Sequence, residues 1–213
     1  QQNRINSGTQ LKKDLISVKN KNVVVIGGGD TGSDCVGTSI RQRAASVTQL
    51  EILPKPPRNR SEDNQWPEWP RIFTTSSSQE EGCERMFSVI TKALIGEKKL
   101  EKIRCSKAIW FKDHNEQFQF REKANSEFEL EADLILLAMG FTGVSKNNLF
   151  SDLGVEITKR GNVKAHNFKT TNKKVFTAGD MMTGQSLVVR AINSGREMAK
   201  ALDTEIKGYS NLL

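Results

Sequence analysis

A short glycine-rich segment follows the first apolar run of the chain and constrains the fold more than any other feature. Val23-Val24-Val25-Ile26 is continuously apolar, as in a strand that is buried on both faces, and it leads directly into Gly27-Gly28-Gly29-Asp30-Thr31-Gly32. The apolar spacing that follows predicts a helix over 34–45 and a second strand over 47–53. This order is typical of a strand–helix–strand unit in a parallel sheet.

The glycines in this segment match the pattern G-x-G-x-x-G, and each position has a physical role. Gly27 permits a tight turn, Gly29 lets a pyrophosphate approach the backbone, and Gly32 lets the helix pack closely on the strand. Backbone N–H groups and the helix dipole then attract phosphate. We therefore predict a Rossmann-type dinucleotide-binding site, with a glycine-rich turn that binds no ligand as the alternative. Valine at Gly29 is expected to obstruct the pyrophosphate and to strain the backbone.

Charged residues beyond the second strand bear on which nucleotide is bound. Glu51 lies 24 residues after Gly27, where this pattern places a carboxylate that accepts hydrogen bonds from the ribose hydroxyls. That carboxylate favours NADH over NADPH, because it would repel a 2′-phosphate. Arg58 and Arg60 follow and could instead bind such a phosphate. Solvated surface charges are the alternative for all three side chains.

The segment from Pro54 to Gly82 differs in composition from the rest of the chain. It contains all five prolines, and proline excludes regular structure because it fixes φ and removes a hydrogen-bond donor. It also contains Trp66 and Trp69, which can each bury a large apolar area. We therefore expect the loop from Pro54 to Pro70 to be ordered, with these tryptophans packed on their own domain or on a neighbouring one.

A second motif combines an acidic residue with the start of the last helix. Gly179-Asp180 follows a predicted strand over 174–178, and Gly184-Gln185-Ser186 precedes a predicted helix over 186–202, with Ser186 as its N-cap. A carboxylate in this place can bind sugar hydroxyls, and the helix N-terminus would stabilise negative charge on a flavin ring. A plain strand–loop–helix connection is the alternative. Between the two motifs we predict strands over 102–112, 117–123 and 132–139, the first two antiparallel.

Composition excludes several classes of function. No apolar run approaches the roughly 20 residues of a membrane span. Cys35, Cys83 and Cys105 lie far apart, so neither a zinc site nor an iron–sulfur cluster is predicted in this chain. The net charge is +7, but the basic residues are scattered, which argues against nucleic acid as a partner. The chain begins Gln1-Gln2 without methionine, which suggests a fragment or a processed product.

Together these segments resemble the glutamate synthase small subunit, or the equivalent C-terminal region of the fused enzyme. The resemblance runs from about residue 21 to 202. The segments that carry it are Val23 to Cys35, Glu51-Ile52-Leu53-Pro54-Lys55-Pro56-Pro57, Asn64-Gln65-Trp66-Pro67-Glu68-Trp69-Pro70-Arg71, Ala132 to Phe141, and Gly184-Gln185-Ser186-Leu187-Val188-Val189.

This resemblance implies an oxidoreductase related to the pyridine nucleotide-disulfide oxidoreductases, in which NADH or NADPH reduces FAD. Iron–sulfur clusters and FMN elsewhere in the full enzyme would then support glutamate formation from glutamine and 2-oxoglutarate, a step of nitrogen assimilation. The implied partner is the remainder of that polypeptide or its large subunit, in the cytoplasm or a plastid, with no nucleic acid or membrane.

The implied fold is α/β, a Rossmann-like three-layer dinucleotide-binding domain plus the C-terminal half of a second, FAD-binding domain. Residues 1–20 would be a linker, 21–130 the NAD(P)H domain, and 131–213 the incomplete FAD domain, which offers only a half-site. Hydride transfer needs no side-chain acid or base, so no catalytic residue is predicted. The predicted cofactor-binding residues are Gly27, Gly28, Gly29, Asp30, Thr31, Gly32, Glu51, Arg58, Arg60, Gly140, Gly179, Asp180, Gln185 and Ser186.

Two departures from the family pattern leave other functions open. Met181-Met182-Thr183 stands where a Cys-Arg-Arg stretch is usual, and Arg190 stands where tryptophan is usual. The alternatives are a related flavin-dependent NAD(P)H reductase with another acceptor and a non-catalytic nucleotide-binding module.

Overall fold

The structure is a computed structural model that describes Ser7 and residues 16–68, 70–145 and 148–212. It divides into two compact units, residues 1–139 and 140–213, which are described separately below. This division lies nine residues beyond the boundary predicted after residue 130.

The first unit alternates strands and helices, continues as antiparallel strands, and returns to the parallel sheet with its last strand. Its elements are β1 (Asn22–Ile26), α1 (Asp30–Arg41), β2 (Ser46–Leu50), α2 (Ser77–Glu80), β3 (Glu84–Met86), β4 (Val89–Ile95), β5 (Lys102–Lys112), β6 (Phe118–Glu122), β7 (Phe128–Glu131) and β8 (Leu134–Leu137).

The first unit is built on a four-stranded parallel sheet with the order β3-β2-β1-β8. In register, Val24 of β1 lies between Thr48 and Ile135. The other strands form an antiparallel sheet in which β5 pairs with β4, β6 and β7. The predicted parallel α/β fold is therefore confirmed, and the expected antiparallel strands follow it.

Two apolar clusters hold the first unit in three layers. Val23 and Val25 on one face of β1 pack with Val36 of α1. Val24, on the opposite face, packs with Ile103 and Cys105 of β5. All these side chains are buried, so β1 is covered by the helix on one side and by the antiparallel sheet on the other.

The structure corrects two predicted boundaries beside the glycine-rich segment. The first helix begins at Asp30 rather than Asp34 and ends at Arg41 rather than Ala45. Apolar spacing reveals only the buried stripe of a helix, and the first turn here is polar. The second strand ends at Leu50 rather than Leu53, because Ile52 and Leu53 are exposed beyond the sheet.

The proline-rich segment is irregular apart from α2, and one of its tryptophans does not pack on this chain. Trp66 is 83% exposed, so it has not buried its ring on this chain; Trp69 lies outside the described residues. Asn64 instead occupies the interior of the loop. It is buried and accepts a hydrogen bond from the Arg71 backbone N–H at 2.6 Å.

The second unit contains little regular structure before its last helix. Its elements are α3 (Leu149–Asp152), β9 (Ala165–His166), β10 (Lys169–Thr170), α4 (Asp180–Thr183) and α5 (Val188–Lys207). Within the described ranges, no helix is both long and apolar enough to cross a membrane.

Two predictions for the second unit are wrong. Residues 174–178 are not a strand: Phe176 forms a single antiparallel bridge with Lys169, and the Val175 N–H donates back to the Asn172 carbonyl of the preceding turn. The last helix begins at Val188, and no side chain caps its N-terminus. Ser186 lies before the helix, where its N–H donates to Asp180 Oδ1 at 3.2 Å.

Candidate nucleotide-binding site

The glycine-rich turn begins where β1 ends. Gly27 has φ +127°, a backbone conformation that side chains rarely adopt, and a Cβ atom there would overlap the carbonyl oxygen of Ala138. The Gly27 N–H donates to the Leu50 carbonyl of β2 at 2.8 Å. A side chain at position 27 would therefore force apart the strands on which the turn is built.

The turn then passes into α1 with one side closed and the other open. A Cβ atom at Gly32 would overlap the Gly27 carbonyl oxygen, so the helix packs directly on the turn. A Cβ atom at Gly29 would meet nothing within 4 Å. Gly29 is the N-cap of α1, where unpaired N–H groups and the positive end of the helix dipole favour an anion.

One expectation for Gly29 is wrong. Its φ is −80° and its ψ is −171°, an extended conformation that any residue adopts. A larger residue at Gly29 would therefore not strain the backbone, and its side chain would occupy the open space instead.

The structure places the Glu51 carboxylate beside this turn. Glu51 directly follows β2, and its backbone is held by two hydrogen bonds, from its N–H to the Met86 carbonyl and from the Val89 N–H to its own carbonyl. Its Oε1 accepts a hydrogen bond from the Leu53 N–H at 3.0 Å. A Cβ atom at Gly28 would overlap its Oε2, so the carboxylate and the turn are in contact.

The two arginines of the loop have different surroundings. The Arg60 guanidinium donates to two carbonyl oxygens of its own loop, that of Asn64 at 3.1 Å and that of Glu68 at 2.8 Å. Both bonds come from Nη1, which therefore helps to shape the loop. Arg58 is exposed.

Two buried glutamine side chains behind the turn were not predicted from the sequence. Gln49 is the second-last residue of β2, is 2% exposed, and donates from Nε2 to the Gly27 carbonyl at 2.9 Å. Gln79 of α2 is also buried and donates to Gln49 Oε1 at 2.8 Å. A glutamine within the predicted strand, between Val47-Thr48 and Leu50, was the available signal for the first of them.

The second unit gathers the residues of the other motif. Gly179, at φ +65°, precedes Asp180, which begins α4 and accepts the hydrogen bond from Ser186. A Cβ atom at Gly140 would lie 3.3 Å from Gln185 Nε2, which places Gln185 beside the 140–144 segment. Asp180 and Gln185 also line one cavity of about 230 Å³, together with Phe141, Gly143, Val144, Asn162, Met181 and Gly184.

Comparison with known proteins gives the family of the chain. The family model described as pyridine nucleotide-disulphide oxidoreductase matches residues 2–195. The glutamate synthase [NADPH] small chain of Mycobacterium tuberculosis is 44% identical over 99% of this chain and 43% of its own length. The glutamate synthase [NADH] of Saccharomyces cerevisiae is 39% identical over 93% of this chain and 10% of its own length.

A solved structure supports the fold alone. Mycobacterium tuberculosis FprA in complex with NADPH superposes with a TM-score of 0.64 at 13% identity, over 90% of this chain and 55% of that one. The chain spans less than half the length of the two glutamate synthases compared above. Because the family model covers nearly all of it, the chain belongs to the pyridine nucleotide-disulphide oxidoreductase family.

Proposed function

We propose that this chain is part of the electron-entry module of a glutamate synthase. In this role it binds NADH or NADPH at the glycine-rich turn for hydride transfer to FAD. The main support for this proposal is the open space at Gly29, which lies at the N-terminus of α1. The Glu51 carboxylate lies beside the neighbouring Gly28. Similarity to glutamate synthases over most of the chain supports the choice of enzyme.

The turn suits a pyrophosphate for three reasons. The Gly29 position is unobstructed, the adjoining helix terminus offers N–H donors, and α1 carries no side-chain cap at Gly29 that would occupy them. A pyrophosphate there would receive the hydrogen bonds that a capping side chain supplies in other helices. The chain's own residues bind and orient, while the cofactors supply the hydride chemistry.

We further propose NADH as the preferred nucleotide. The Glu51 carboxylate can accept hydrogen bonds from the adenosine ribose hydroxyls and would repel a 2′-phosphate. The strongest candidates to attract such a phosphate were Arg58 and Arg60, and Arg60 already bonds to two loop carbonyls. The yeast relative bears the name NADH and the mycobacterial one NADPH, so relatives of both kinds are similar to this chain.

Residues of the second unit are proposed to form half of the FAD site. Asp180 would contact the ribityl chain, with Gln185 and Ser186 beside the flavin and Gly140 and Gly179 shaping the segments around them. The described glycine-rich turn is assigned to the nicotinamide nucleotide, so the pyrophosphate of FAD needs residues from the rest of the enzyme. That remainder, or the large subunit, is the proposed partner and would carry the iron–sulfur clusters and FMN.

Replacing Gly29 with valine tests the proposal. The variant keeps its backbone conformation, because φ at this position is −80°, but its side chain fills the open space. We expect NADH affinity to fall well over tenfold, equivalent to about 1.4 kcal/mol or more. Calorimetric titration of the folded wild-type and variant chains provides the measurement. Unchanged affinity in the variant would refute the assignment of this turn.

The flavin assignment has its own test. We expect the purified chain to bind FAD weakly or not at all, and to show no oxidation of NADH, because only half of that site is present. A yellow protein with near-stoichiometric FAD and steady NADH oxidation would contradict the half-site.

A further inference from the structure

A chain of buried polar side chains lies behind the glycine-rich turn, on the side away from solvent. Gln49 is its centre: Nε2 donates to the Gly27 carbonyl at 2.9 Å, and Oε1 accepts from Gln79 Nε2 at 2.8 Å. Both glutamines are buried, so these hydrogen bonds do not compete with water.

The same chain of side chains returns to α1. Gln79 and Ser76 form a capping box at the start of α2, in which Ser76 Oγ accepts from the Gln79 N–H and Gln79 Oε1 accepts from the Ser76 N–H. The Ser76 hydroxyl also hydrogen-bonds the Ser33 hydroxyl of α1. Since the Ser33 N–H donates to the Gly29 carbonyl at 3.0 Å, the network holds the turn at both Gly27 and Gly29.

The orientation of one peptide follows from these contacts. A trans peptide is planar, and its C=O and N–H point in opposite directions. With the Gly27 carbonyl bonded to buried Gln49, the Gly28 N–H points away from the interior of the unit. Rotation of that peptide would instead turn the carbonyl oxygen outwards, where its partial negative charge would repel a phosphate.

We propose that Gln49, held in place by Gln79, is a positioning residue that fixes the Gly27–Gly28 peptide so that its N–H faces the nucleotide pyrophosphate. This inference rests on the proposed function, because it assumes that the turn binds a dinucleotide. It makes residues 76–80, near the end of the proline-rich segment, a part of the nucleotide site.

Replacing Gln49 with glutamate separates this role from simple packing. The protonated acid can still donate to the Gly27 carbonyl, whereas the ionised carboxylate cannot and would repel that oxygen. Burial raises the pKa of such a carboxyl above its usual range. We therefore expect the variant to bind nucleotide nearly as well as wild type at pH 5 and roughly tenfold or more weakly at pH 8.

The measurement is the dissociation constant of NAD⁺ and of NADP⁺ between pH 5 and 8, expressed as the ratio of variant to wild type. The ratio cancels titration of the ligands and of groups shared by both proteins. The ionisable groups on the elements around Gln49 are Asp30, Asp34, Cys35 and Arg41 of α1, Glu80 and Glu81 at α2, Glu84 and Arg85 of β3, and Glu51. Gln117→Glu, an exposed site before β6, is the matched control and should leave the ratio at one throughout.

Two further measurements keep the inference falsifiable. Gln49→Met retains the side-chain volume without the hydrogen bonds and should weaken nucleotide binding at every pH. This variant tests the inference if the glutamate variant does not fold. In ¹⁵N-labelled protein without nucleotide, the Gly28 amide resonance of Gln49→Glu should titrate with the midpoint of the affinity ratio. A pH-independent ratio, full affinity in Gln49→Met, or an unmoved Gly28 resonance would overturn the positioning role. A wild-type chain that binds neither nucleotide would refute the proposed function, while the Gly28 resonance still decides the peptide orientation.

Discussion

The Glu51 side chain reaches from the end of β2 to Gly28, so that a Cβ atom at position 28 would overlap its Oε2. The other carboxylate oxygen accepts from the Leu53 N–H at 3.0 Å, which fixes the direction of the side chain. A negative charge is thereby held against the turn proposed to bind the nucleotide, and the proposed preference for NADH over NADPH rests on it.

Glu51→Gln should shift that preference towards NADPH. The neutral amide no longer repels a 2′-phosphate, so we expect the ratio of the NADPH and NADH dissociation constants to fall about tenfold. Both constants should be measured at one salt concentration, because screening changes the repulsion. Glu62→Gln, an exposed change in the loop, is the control. Tighter binding of NADPH than NADH by the wild type would reverse the assignment.

Gly27→Ala should destabilise the first unit by at least about 2 kcal/mol, because the new Cβ combines a positive φ with overlap on the Ala138 carbonyl. Gly82→Ala is a matched control, since Gly82 has φ +119° but nothing within 4 Å of its Cβ position. Urea unfolding of both variants separates the two effects. Equal losses of stability would mean that the structure accommodates the overlap with the Ala138 carbonyl without any loss of unfolding free energy.

Cys105 should be unreactive in the folded chain. Burial raises the pKa of its thiol to about 11, so at pH 8 only about one molecule in a thousand carries the thiolate. We expect a thiol reagent at pH 8 to modify Cys105 only after unfolding. Mass spectrometry of the labelled peptides, with and without urea, tests this, and rapid labelling of native Cys105 would contradict its burial.

The same thiol should make stability depend on pH. Its pKa in the folded chain lies above the unfolded value of about 8.5, so the unfolded state ionises first. The unfolding free energy should therefore fall as the pH rises from about 8.5 to 11. Burial also raises the pKa values of Cys35 and Cys83, so these thiols contribute to the same pH dependence. The contribution of Cys105 is the part of the pH dependence that is lost in Cys105→Val. Urea titrations of both proteins at pH 8 and pH 10 measure it.

Asn64→Ala should loosen the proline-rich loop. Asn64 is 1% exposed and accepts the Arg71 N–H at 2.6 Å, so alanine removes this partly buried hydrogen bond, at a cost of about 1 kcal/mol. We expect trypsin to cleave several-fold faster at Arg58 or Arg71 than in the wild type. Gln65→Ala, an exposed neighbour, should change little. Equal cleavage rates in the two variants would show that Asn64 does not hold the loop.

Several features could be predicted because their causes lie within a few residues of the chain. The apolar run 23–26, the turn that follows and the alternation in β5 need no distant partner to be recognised. Lys174 to Ala178 shows the limit of such patterns. An apolar run forms a strand only if another strand pairs with it, and here only Phe176 bridges to Lys169.

The sequence alone thus determined the parallel strand–helix–strand unit and the position of the glycine-rich turn, since chain geometry and apolar spacing are local. The tertiary structure decided what surrounds that turn. Gln49 and Gln79 are 30 residues apart, and their hydrogen bond exists because β3 returns from the proline-rich loop to pair with β2 and brings α2 onto α1. Contacts made by such long loops depend on burial and pairing across the whole unit, which local spacing does not encode.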